Sequence, residues 1–152
     1  MSKEVKETLK FSGYVLEDRS SDIPEIKGVY CAYAASYNPQ ERKWVGKDIV
    51  YFGKSEEGDG NIRARVNAHK QSDDAARRTL EDGEKLLYTY AATDNADVCE
   101  RALVAAHSHL PRLANTQLTN GYVGPKISLT MMGACYGIRP QINFEAKKED
   151  EF

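Results

Sequence analysis

The sequence predicts an α/β (α+β) sandwich: a small three-stranded, mostly antiparallel sheet flanked by helices. Three observations predict it. Residues 28–37 (GVYCAYAASY), 49–52 (IVYF) and 86–92 (LLYTYAA) are short runs rich in β-branched, aromatic and small residues, set off by glycine or polar stretches. Apolar residues recur at helical spacing from Ile62 and again from Ala96. The first two runs are close enough in sequence to close as a hairpin, whereas helices separate the second from the third.

Length and composition bound the rest. At 152 residues, 41% hydrophobic and 29% charged, the chain is one domain with its own core. No apolar run approaches the roughly 20 residues of a membrane helix. The start, MSKEVKETLKF, lacks a secretory apolar region, so a cytoplasmic protein with no membrane partner is expected. Cys31, Cys99 and Cys135 form no C-x-x-C pair and read as reduced thiols. The net charge of −2 argues against tight nonspecific binding of nucleic acid by the whole surface. Arg63, Arg65, Lys70, Arg77 and Arg78 nevertheless cluster, which leaves room for a local basic face.

In chain order, residues 1–25 read as an N-terminal extension holding a short strand, FSGYVLE. Residues 26–116 are the core. Strand 28–37 leads through a loop over 38–48 to strand 49–52, which pairs back on it. Gly53 breaks that strand and a polar loop follows. A helix over 62–71 places Ile62, Arg65, Val66 and His69 on one side and turns Arg63, Asn67 and Lys70 elsewhere. The helix continues, or a second one succeeds it, over 73–80, and Gly83 ends it. Strand 86–92 precedes a helix over 96–110, capped by Thr93 or Asp94 and stopped by Pro111. Its apolar face is Val98, Cys99, Ala102, Leu103, Ala106 and Leu110, with Glu100 and His107 on the opposite, polar side. Residues 117–144 form a glycine-rich segment packed on the core with one strand, KISLTMM, and 145–152 a mobile tail.

Arg65 and His69, one turn apart and downstream of Tyr51, can together hold an anion. Gly53-Lys54-Ser55 ends like a phosphate-binding loop, but Asp48 stands where that motif needs glycine, so no nucleotide cofactor is expected. Gly28-Val29-Tyr30, Tyr51-Phe52-Gly53, Arg65, His69, Glu100 and Asn115 resemble, in order and in most spacings, the GIY-YIG nuclease domain. Val29 and Phe52 stand where that pattern has isoleucine. The resemblance spans roughly 26–116 and implies cleavage of a DNA phosphodiester dependent on magnesium, or manganese in its place, with Glu100 the single protein ligand to the metal.

The chemistry fits those residue types. Arg65 can clamp a phosphate with its planar fork. One carboxylate leaves a magnesium ion room for waters and the phosphate. Tyr30 or Tyr51 can take the proton of the attacking water, but a free phenol titrates near 10 and needs help from His69 or Lys54. The residues alone do not separate the two tyrosines; the resemblance favours Tyr30, with His69 relaying. Lys54, Arg63, Lys70 and Asn115 are the expected contacts to DNA and phosphate. Cutting both strands would take a homodimer or sequential nicks, and targeting a loop of this chain or a partner protein. The rival reading is a non-catalytic module of the same fold that binds nucleic acid or protein.

Overall fold

Tyr30, Ala32 and Ala34 alternate along one strand with Val29, Cys31, Tyr33 and Ala35, and all seven are buried. A strand apolar on both faces belongs inside a sheet covered on both sides. A computed structural model describes residues 4–55, 61–68, 74–115 and 121–148 and gives this strand, β2 (Gly28–Asn38), a neighbour on each edge. β3 (Lys43–Ser55) and β4 (Lys85–Ala92) flank it, both antiparallel. Glycine at position 28 permits the approach to β4, since any side chain there would overlap the Ala91 carbonyl.

The sheet has six strands rather than the expected three. β1 (Val5–Leu16), β5 (Ile127–Gly133) and β6 (Gln141–Phe144) extend it to the order β3-β2-β4-β1-β5-β6. β1 pairs antiparallel with β4 and parallel with β5, so the sheet is mixed. The FSGYVLE strand is the second half of β1, and KISLTMM is β5. β1 buries only Leu9 and Phe11, so its polar residues hide its length. The expected 38–48 loop is also mostly strand. The turn is confined to residues 39–42, where Arg42 is left-handed (φ 55°) and Asn38 Oδ1 accepts from the Gln40 and Glu41 amides at 3.0 and 3.2 Å.

Two apolar layers cover the sheet. On one side α3 (Ala96–His107) packs on Val29, Cys31, Tyr33 and Phe52. On the other, α1 (Ile62–Ala68) inserts Ile62 and Val66 beside Tyr30, Val50 and Tyr88. The rest of the expected 62–71 helix lies outside the described residues. α2 (Ala75–Arg78) is capped by Asp74, which accepts from the Ala76 and Arg77 amides. Among the described residues no helix is long and apolar enough to cross a membrane.

His107 corrects the helical wheel. It is buried rather than on a polar face, because α3 is enclosed by β2 and β3 on one side and β6 on another. The Arg139 amide donates to Nε2 at 3.0 Å, which leaves the proton on Nδ1 to be donated to Leu103 O at 2.7 Å. Burial is the main cause that depresses its pKa below the ordinary 6.5, aided by His109 and Arg139 and opposed by the Leu103 bond. The unfolded chain therefore binds this proton more readily than the folded one. Stability attributable to His107 is present above about pH 6.5 and falls as pH drops below it. Urea denaturation at pH 7.5 and 5.5 should show a loss that His107→Gln reduces.

Candidate active site

The hairpin sets the first two tyrosines. Tyr30 lies opposite Gly53 and Ala32 opposite Tyr51, so both phenols stand diagonally on the α1 side of the sheet, ring centroids 6.3 Å apart. Gly53 forms the floor. A Cβ at that position would overlap the Tyr30 ring at Cζ and Oη, so the phenol lies directly across the glycine. β4 adds a third ring: Tyr88 is 6.1 Å from Tyr30 in an edge-on arrangement.

Two helices carry charged groups that act on the ionisation of this cluster. Ile62 and Val66 anchor α1 in the core, and Ile62 N donates to Ile26 O at 2.9 Å. Arg65 is left exposed, with no ion-pair partner among the described residues. Its charge acts to lower the pKa of both Tyr30 and Tyr51. Glu100, half-buried on α3, acts on the same two phenols in the opposite sense. Burial is the largest influence on each and holds Tyr30 well above its ordinary value, with the neighbouring Tyr51 adding to the rise. Tyr51 is also raised, by burial and then by Glu100. Tyr30, Tyr51, Arg65 and Glu100 thus share one electrostatic environment.

The remaining expected contacts are placed differently. Lys54 is on the α3 side of β3, where it donates to Asp97 Oδ1 at 3.0 Å; Asp97 also accepts from Arg101 at 2.5 Å. Burial works to raise the Asp97 pKa, but these two cations outweigh it. Arg63 binds the segment leading into β2, with Nε on Ile23 O at 2.6 Å and a terminal nitrogen on Glu25 at 2.9 Å. His69 and Lys70 lie outside the described residues.

Asn115 holds backbone. Its amide donates to Phe52 O at 2.9 Å and accepts from Phe52 N at 2.8 Å, while Ala114 N donates to Val50 O at 2.7 Å. These bonds pair the outer edge of β3 beside Tyr51. Asn115→Ala should cost about 1–3 kcal/mol in denaturant unfolding, since it leaves both Phe52 backbone groups without that partner.

Sequence reasoning missed Gly53 as a floor and Tyr88 as a third ring. The spacing of Leu86, Tyr88 and Tyr90, two residues apart on one strand, was the available signal for Tyr88. Among the described residues no three His, Cys, Asp or Glu side chains converge as a metal cage. A single carboxylate at Glu100 suits an ion that keeps several waters, as magnesium does, and not a four-ligand zinc site. No family model, curated protein or solved structure matches the chain.

Proposed function

We propose that this chain is a DNA endonuclease of the GIY-YIG type, dependent on magnesium or manganese and acting in the cytoplasm. One observation carries the reading: the Tyr30 and Tyr51 rings of β2 and β3 stand 6.3 Å apart, and Arg65 of α1 and Glu100 of α3 both act on the ionisation of these two phenols. Arg65, exposed and without an ion-pair partner among the described residues, binds the scissile phosphate and steadies charge on its non-bridging oxygens. Glu100 holds the metal. When bound, the metal supplies Lewis acidity toward the phosphate and relief of charge on the leaving oxygen.

Tyr30 is protonated at neutral pH, so it does not wait as a phenolate. It takes the water's proton only as it gives up its own, in a relay toward His69. Tyr51, less buried, orients the water. The test is nicking of supercoiled plasmid by the purified chain with and without magnesium. Absence of cleavage of duplex, branched and single-stranded DNA under every divalent metal overturns the reading.

A second reading has its own support. Lys54 is engaged by Asp97, and the net charge is negative, which suits a module that binds without cutting. Binding without turnover, unchanged by Glu100→Ala, would favour it.

A further inference from the structure

A concavity lies away from the tyrosine cluster, where β3 begins. It encloses about 710 Å³, within the range of small-molecule sites. Tyr14, Tyr33, Trp44 and Tyr136 line it, and Gly46 lies against the Tyr33 ring. The walls are tied together. Tyr33 Oη donates to Tyr136 O at 2.6 Å, and Tyr136 N donates to Tyr14 Oη at 3.0 Å, so the Tyr14 hydroxyl keeps its own hydrogen to donate. Trp44 is braced by Tyr37 at 5.7 Å and by Lys85 Nζ at 5.2 Å from its ring centroid.

We infer that this cavity binds the base and phosphate of an unpaired nucleotide. Tyr33 is fully buried behind the cavity, and the accessible Tyr14, Trp44 and Tyr136 rings offer π surfaces to a planar heterocycle, which an aliphatic peptide side chain would not exploit. Arg19 and Lys43 line the same cavity, as does Asp22 beside Arg19, and the two cations are offered to the phosphate. Their pairings with Asp22 at 3.0 Å and Glu41 at 3.5 Å are solvent-exposed, so both are cheaply exchanged. The inference extends the nuclease reading and rests on it for the choice of DNA as the source of the nucleotide. Position 46 is seven residues from Gly53 along β3, and Tyr33 stands on the α3 side of the sheet whereas Tyr30 and Tyr51 stand on the α1 side, so a strand held at both sites passes around the β3 edge.

Trp44 is the sole tryptophan in the sequence, so its emission reports this cavity directly. The full chain, without divalent metal, is titrated with a single-stranded deoxythymidine hexamer, a duplex of equal length, and thymidine without phosphate. The expected result is a saturable change with the hexamer and at least tenfold weaker response to the other two. Tyr136→Ala, which removes an exposed ring but keeps both backbone contacts, should weaken hexamer binding about tenfold or more. Arg19→Ala should weaken the hexamer but not thymidine. An unresponsive Trp44, equal binding of duplex or thymidine, or an unaffected Tyr136→Ala protein overturns the inference. Cleavage with a silent Trp44 refutes the cavity alone; a responsive Trp44 without cleavage refutes the nuclease reading alone.

Discussion

Glu100→Gln leaves the protein folded and lowers metal-dependent plasmid nicking by at least about 10³-fold, and Arg65→Ala lowers it by on the order of 10²–10³. The first change removes one charge from a half-buried helix position with almost no change in volume, so unfolding free energy should move little. The second removes an exposed guanidinium that serves no ion pair among the described residues. A structural role for either would appear as lost stability, which denaturation measures separately from turnover. Spectrophotometric titration of the tyrosines adds a readout independent of cleavage. Glu100 raises both phenols and Arg65 lowers them, so Glu100→Gln should shift their ionisation to lower pH and Arg65→Ala to higher pH. Retained nicking in either folded variant removes that residue from the mechanism.

The legible parts of the chain were those whose physics is local. β2, β3 and β4 announce themselves through runs that are apolar on both faces, whereas Gly46 and Asp48, which suggest a loop, lie within β3 and the turn is confined to 39–42. β1 was legible only in part because Lys6, Glu7 and Lys10 interrupt its apolar residues, and β6, four residues long, was not legible at all. Their places depend on a parallel pairing between Val5 and Ile127 that no short window contains. The order of the candidate residues could be read, but which of them share a face could not. Lys54 illustrates the difference: one residue along β3 from Gly53, it turns to the other face and meets Asp97, a partner brought there by the packing of α3. His107 failed for the same reason, since a helical wheel assumes one buried side and α3 has more than one.

Gly53→Ala should separate stability from activity in an informative way. The added methyl must occupy space now filled by the end of the Tyr30 ring, and Tyr30 is fully buried among Tyr51, Tyr88 and the α1 side chains, so it has no free volume to retreat into. Overpacking of this kind costs about 1–3 kcal/mol in unfolding free energy. The phenol is also pushed from its place beside Tyr51, and misplacement of about 1 Å lowers nicking by on the order of 10²-fold. Tyr30→Phe provides the control. It keeps the ring and therefore the clash, but has no hydroxyl left to misplace. In the Tyr30→Phe background, Gly53→Ala should cost nearly its full stability penalty while lowering the residual nicking rate little further. Additive losses of activity would mean that Gly53 acts on cleavage by a route other than the Tyr30 hydroxyl.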